Sequence, residues 1–404
     1  MLDQRVRPFG SHHQKFFVIR RTANPSRDVA FVGGIDLSHS RRDDSDHIGD
    51  PQAVSMGSQY GNRPPWHDAA LELRGPVVAD LLAVFAERWD DPTPLDHRNP
   101  YRMLVQRLAH MPRHPKPLPE AAPTPPRAGP HAVQLLRTYG PKRPPFPFAP
   151  VGERSIARAY TKAFARAHSF IYIEDQYLWS AEVAAGIAKA LVRNSRLQVI
   201  VVLPRYPDTD SALAGGPKRL GQLRAVSTLR RAAADRVGVF DLENRAGTPV
   251  YVHAKICIVD DVWMTCGSDN FNRRSWTTDS ELTCAIVDTT SAHRNTPGTD
   301  IDDQHPYPVA RDLRLQLWAE HLGLDQSDPR LLDINTALAL WNTSANELDH
   351  WHAAGRPGHP PAEHIRKHRI EPVSRLQRLW ADPLNRLILD PDSRPRRLRG
   401  TSTF

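Results

Sequence analysis

The chain has 404 residues, 40% of them hydrophobic, which is enough for two or three domains with real cores. Lys and Arg number 53 against 45 Asp and Glu, a formal net charge of +8 that favours anionic partners: phosphates, nucleic acid or an acidic membrane face. Apolar runs such as Leu197–Leu203 are strand-sized, far short of the ~18–20 residues of a membrane span, and Met1–Phe9 has no apolar core of signal-peptide length, so a cytoplasmic or peripheral-membrane location is expected.

Strands are predicted at Lys15–Ile19, Val29–Val32 and Ala69–Leu73. A helix opens at Gly75-Pro76 with Val77, Leu81, Leu82, Phe85 and Trp89 facing inward. Residues 112–150 hold thirteen of the 37 prolines and no apolar period, so they read as a linker. Beyond it come a helix over Ser155–Ala167, a strand at Phe170–Ile173, a helix over Ser180–Arg193 and a buried-strand run at Leu197–Leu203. A charged helix over Pro217–Ala234 precedes strands at Val237–Leu242, Val250–Val259, Val262–Cys266 and Leu282–Val287, and a helix over Val309–Leu322 is stopped by Gly323. This is α/β patterning with a covered sheet. The expected organisation is a first half over 1–111, the linker, a second half over 151–330 and a C-terminal appendage over 331–404, partly helical or disordered. Cys257, Cys266 and Cys284 all fall in predicted strands and read as core fillers, not as a disulfide or zinc framework.

An internal repeat carries the chemistry. His13-Gln-Lys15 leads into an apolar strand and then Gly33-Gly34-Ile-Asp36; His253-Ala-Lys255 leads into an apolar strand and then Gly267-Ser268-Asp-Asn270. Residues two apart in a strand share a face, so each His projects beside its Lys. Gly33, Gly34, Gly267 and Ser268 are expected to let backbone approach a substrate closely. With only eight lysines among 404 residues, roughly 0.4 His-x-Lys would occur by chance; three are present, and His114-Pro-Lys116, in the linker with no strand after it, is the expected accident.

Two imidazoles on opposite sides of a phosphorus supply a nucleophile and a general acid for a two-step displacement. The paired lysines and Asn270 would hold the non-bridging oxygens. No Asp/Glu-rich metal cage is visible in either half, so no metal or other cofactor is expected.

These residues resemble the phospholipase D superfamily, whose signature is His-x-Lys-x4-Asp repeated twice. The second copy matches in full as His253, Lys255 and Asp260, followed by Arg274-Ser275 and Asp279-Ser280-Glu281. The first copy, with His12-His13-Gln14-Lys15, Ala30–Leu37, Arg41 and Asp43, is similar to the phosphatidylcholine-cleaving branch, as are Pro65–Asp68, Ile171–Tyr177 and Leu313–Gly323. The resemblance implies two similar α/β/α halves packed face to face, the first incomplete because only twelve residues precede His13. It also implies a phosphohistidine on His13, with His253 protonating the leaving alcohol and then activating water or a primary alcohol; the reverse assignment stays open at this point. Asp43 is expected to orient His13 and Glu281 to orient His253, while Asp36 takes in the first half the place of Asn270. The implied activity is hydrolysis or alcohol exchange of glycerophospholipids by a monomer that visits an anionic membrane surface and has no stable nucleic-acid partner. The rivals are a nuclease-like phosphodiesterase and a catalytically impaired phosphate- or lipid-binding relative. The latter is motivated by Arg20, which stands where the first motif should carry Asp and is expected to weaken local structure. The histidines at 350, 352, 359, 364 and 368 and the arginines from Arg394 to Arg399 read as solvated surface.

Overall fold

A computed structural model of the chain describes residues 3–38, 41–52, 55–95, 100–120, 122–210, 212–287, 309–362, 364–401 and 403–404. In chain order the elements are β1 (Phe16–Ile19), β2 (Val29–Gly33), β3 (Trp66–His67), β4 (Ala70–Leu73), α1 (Val77–Trp89), α2 (Pro100–Leu108), β5 (Ala132–Tyr139), β6 (Glu153–Arg154) and α3 (Ser155–Arg166). They continue as β7 (Phe170–Glu174), α4 (Ala181–Arg193), β8 (Gln198–Val202), α5 (Ala212–Ala233), β9 (Val237–Leu242), β10 (Tyr251–Val252), β11 (Ile256–Val259), β12 (Trp263–Gly267), α6 (Arg273–Thr277) and β13 (Glu281–Val287). Helices α7 (Val309–Leu322), α8 (Ala337–Ala353) and α9 (Arg375–Leu384), with β14 (Ile365–Lys367) between the last two, complete the order. No helix of the described residues is long and apolar enough to cross a membrane.

One nine-stranded sheet runs β14-β9-β8-β7-β11-β12-β13-β5-β6. β7, β8 and β9 are parallel and joined through α4 and α5, the crossover that parallel strands require. Their continuous apolar runs are buried on both faces. Ile171, Ile173, Val199 and Val201 face α3, α4 and α5, while Phe170, Tyr172, Ile200 and Val202 face α7 and α8. The three cysteines are free and buried on β11, β12 and β13. The first half supplies a three-stranded antiparallel sheet, β1-β2-β4. It packs Ala30, Val32 and Leu73, with Val78, Leu81 and Val84 of α1, against Leu282 and Cys284 of the large sheet.

Three expectations fail for physical reasons. In the Pro-rich segment, Ala132–Tyr139 contains no proline and pairs along its length with β13, so the large sheet begins inside the supposed linker. On α1 the buried face is Val78, Leu81 and Val84. Phe85 is exposed and stacks on Trp89, whose indole N–H reaches the carbonyl of Lys116 in the Pro-rich segment. The C-terminal region is integral: β14 extends the sheet beside β9, Trp341 is fully buried against Phe240 and Trp318, and Phe404 packs on Trp276. Nor are its basic residues solvated throughout. Arg394 is buried and paired with Asp392 and Glu182, and His368 is buried between Asp241 and Gln222.

Candidate active site

Two short parallel pairings between the halves build the site. β10 lies beside β3 with Val252 opposite His67, and the backbone N–H of His253 donates to His67 O at 2.7 Å, which sets Asp68 level with His253. On the other side His12 bridges Ser280 and His13 N donates to Ser280 O at 2.9 Å, which sets Glu281 level with His13. Each imidazole therefore meets a carboxylate from the opposite half. His253 Nδ1 lies 2.7 Å from Asp68 Oδ2, and His13 Nδ1 lies 2.9 Å from Glu281 Oε2. A carboxylate on Nδ1 leaves Nε2 as the reactive atom of each ring.

These pairings correct the expected orienting partners. Glu281 serves His13 and not His253, and Asp68, named from the sequence only within the family-like stretch Pro65–Asp68, serves His253. Asp43 is committed elsewhere, accepting from Trp66 N at 2.7 Å and Gly49 N at 3.1 Å. The missed signal is long-range: only the pairing of β3 with β10 brings residue 68 to residue 253, and no local spacing encodes it.

The lysines converge on the same space. Lys15 Nζ lies 3.3 Å from Asp36 Oδ1 and donates to His13 O at 3.0 Å. Lys255 Nζ donates to His253 O and to Gln176 Oε1, the latter at 3.2 Å; Gln176 is a second residue the sequence did not single out. Burial, reinforced by Lys15, lowers the Lys255 ammonium to about 8 against the pull of Asp68. Burial and the Lys255 charge lower His253 to about 4, so this ring is neutral at pH 7. Burial alone would raise Glu281, but His13 and the Ser268 hydroxyl hold it below the ordinary range. Asp36 is likewise lowered despite burial, by Lys15, His253 and His13, which places its carboxylate between the two motifs. Asn270 is almost fully buried, and its Oδ1 has no hydrogen-bond partner among the described residues.

Other expected site residues support the frame. Ser268 Oγ donates to Glu281 Oε2 at 2.5 Å and accepts from Leu282 N, so it fixes a carboxylate and does not face substrate. A Cβ on Gly34 would stand 2.1 Å from Asp68 Oδ1, and one on Gly267 2.2 Å from Thr283 Oγ1; Gly33 is closed in the same way by Ala69. These glycines admit neighbouring strands and the orienting acid, not a phosphate. Asp260 and Asp261 are the central residues of the turn in the three-residue connection between β11 and β12, taking φ of 53° and 58°. Its carboxylate accepts from the N–H groups of His168, Ser169 and Phe170, which anchors the start of β7. In the first half Arg20, in place of that Asp, donates through Nε to the buried Asp28 at 2.6 Å and through Nη2 to the carbonyl of Pro123 at 2.5 Å, so the departure is compensated.

Residues 2–139 match the family model described as phospholipase D, and residues 160–296 match the one described as cardiolipin synthase, PLD-like domain; together they cover more than half of the chain. The chain belongs to the phospholipase D superfamily. Within that superfamily it is 27% identical to phospholipase D alpha 2 of Oryza sativa subsp. japonica, over 78% of this chain and 49% of that protein. It is 25% identical to phospholipase D alpha 3 of Arabidopsis thaliana, over 84% and 52%. This superfamily member thus spans about half the length of the curated relatives it matches. Among solved structures, phosphatidylserine synthase of Haemophilus influenzae aligns over 69% of this chain and 58% of its own, with 16% identity and a TM-score of 0.41. As in the family signature, each half of this phospholipase D-like fold delivers one His-x-Lys to the shared cleft.

Proposed function

We propose that the chain is a phospholipase D-type phosphodiesterase that hydrolyses glycerophospholipids or transfers their phosphatidyl group to a primary alcohol. The observation that carries this reading is the crossed pairing of two imidazoles with two carboxylates, one from each half, beside Lys15 and Lys255.

The chemistry follows from the two free Nε2 atoms. The substrate's non-bridging oxygens lie between Lys15, Lys255 and the Asn270 amide, and their negative charge counters the burial and the Lys255 charge that together keep His253 unprotonated. His13 Nε2, the more open ring, attacks phosphorus, and the bond to the leaving alcohol breaks as His253 Nε2 gives that oxygen its proton. Water or a primary alcohol then passes a proton to His253 Nε2 and attacks phosphorus, and the P–N bond to His13 breaks. Glu281 and Asp68 hold the rings and stabilise their charged forms throughout. A cavity of about 510 Å³ opens beside Gln176, the partner of Lys255; Tyr177, Trp179, Tyr206 and Tyr251 give it apolar walls and Ser58 closes it from the first half, which suits one arm of a lipid phosphodiester.

The test is release of choline and formation of phosphatidyl alcohol from phosphatidylcholine vesicles containing a primary alcohol, with a small nitrophenyl diester in parallel. The parent should form both lipid products, and Asp68→Asn and Glu281→Gln should each lower turnover about 10²–10⁴-fold while remaining folded. Cleavage of the small diester alone would favour a nuclease-like enzyme, and undiminished turnover in either variant would contradict the crossed site.

A further inference from the structure

Beside the reactive pair, the segment between β2 and β3, strand β3 itself and helix α7 bring His47, His67 and Glu320 together. His47 Nε2 and His67 Nδ1 each lie 3.3 Å from Glu320 Oε1, and the three ligand atoms all fall within 4.8 Å of one another. His47 is 4% exposed, yet both of its ring nitrogens, and Glu320 Oε1 with them, are buried and make no hydrogen bond. At 3.3 Å these contacts are ion-pair distances, longer than a good hydrogen bond, so three ligand atoms converge on one point without closing a hydrogen-bonded network among themselves.

The nitrogen on the far side of the His67 ring is already held, and a carboxylate stands behind the far side of His47. His67 Nε2 lies 2.8 Å from Glu174 Oε2, and Glu174 is itself fixed by His321 Nε2 at 2.8 Å. Asp43 Oδ2 lies 3.8 Å from His47 Nδ1. Carboxylates behind imidazoles whose near nitrogens converge are how metal-ligating histidines are oriented.

We propose that His47, His67 and Glu320 bind one divalent cation of the zinc class. Around a tetrahedral ion with bonds of about 2.0–2.1 Å, neighbouring ligand atoms stand about 3.3 Å apart, the spacing seen here on two edges. Two imidazole nitrogens and one carboxylate oxygen suit that ion and not calcium, which collects six to eight oxygens. The fourth corner falls to water. The ion does not enter the phosphodiester chemistry; it ties the segment carrying His47 to α7 through His67, the residue next to Asp68. Because His67 O also receives the His253 backbone N–H, the site braces one of the crossed pairs. The inference rests on this cluster alone and stands whether or not the chain cleaves lipid.

The experiment is zinc stoichiometry of the full chain after dialysis against a chelator and titration with zinc, together with the visible spectrum of the cobalt(II)-loaded protein. One zinc per chain and an intense tetrahedral cobalt spectrum are expected. His47→Ala and Glu320→Gln should abolish both, and Asp43→Asn, which removes the charge behind His47 and one of the acceptors of Trp66 N and Gly49 N, should weaken binding about 10–100-fold. A parent protein that takes up no stoichiometric zinc, a pale octahedral cobalt spectrum, or uptake unchanged in folded His47→Ala and Glu320→Gln would overturn the proposal and leave a proton-sharing network of histidines and carboxylates. Should a variant not fold, the parent's stoichiometry and cobalt spectrum decide.

Discussion

Single side chains in this protein act according to what the opposite strand brings to them. Arg20 looks from the sequence like damage to the first motif, whereas its guanidinium neutralises Asp28, whose side chain is fully buried. Removing one partner of a buried ion pair costs about 3–5 kcal/mol. Arg20→Asp, which would set a second carboxylate beside the first, should therefore lower the melting temperature by several degrees and not raise it; a more stable variant would show that Asp28 does not need the charge. Asp269 is the opposite case. It alternates with Ser268 and Asn270, so its side chain turns into the core behind the cleft, where Thr283 donates to it and burial pushes it up to about 8. The unfolded chain's carboxyl titrates near 3.9, so between about pH 4 and pH 8 the folded protein holds a proton that the unfolded one releases. The stabilisation is complete below about pH 4 and is lost as pH rises through 8. Asp269→Asn should flatten the dependence of denaturant midpoint on pH across that window, and an unchanged slope would assign it to other groups.

At the scale of elements, what the sequence shows depends on how locally each element is specified. The strands β7, β8 and β9 and helices α3, α4 and α7 are legible because apolar periodicity alone defines them, down to Ser180, whose hydroxyl caps α4 by accepting from Val183 N. β5 is not legible, since prolines surround it and its strand character comes from the seven residues of β13 it pairs with. α1 carries two apolar stripes, and only tertiary contact decides that Val78, Leu81 and Val84 meet the small sheet while Phe85 and Trp89 meet the Pro-rich segment. The C-terminal region reads as an appendage because its composition is basic and histidine-rich. Its largest buried anchor is Trp341, wedged among Tyr172, Phe240, Trp318 and His321. Trp341→Ala should cost about 3–5 kcal/mol in chemical denaturation; a loss below about 1 kcal/mol would return this region to the status of an appendage.

For the molecule as a whole, the repeat of His-x-Lys is visible in the sequence, but the interlock of the halves is not. The sequence places His13 with Lys15 and His253 with Lys255, because residues two apart in extended chain share a face; the pairs lie just before β1 and between β10 and β11. It cannot place Glu281 with His13 or Asp68 with His253, because those contacts exist only once Ser280 lies beside His12 and His67 beside Val252. Neither half holds a complete acid–base pair alone, so the proposed activity requires both, and the small first half contributes Asp68 and His13 beside a sheet of three strands among the described residues. In the proposed mechanism His13 carries the phosphoryl group and His253 manages the protons. The direct measurement uses His253→Ala with a phosphodiester bearing a nitrophenol leaving group, which departs without a proton donor. The account predicts a burst of one equivalent of nitrophenol per chain and a phosphoryl adduct located by mass spectrometry on His13, stable because no base activates water. Steady turnover without a burst, or an adduct on any other residue, would contradict it.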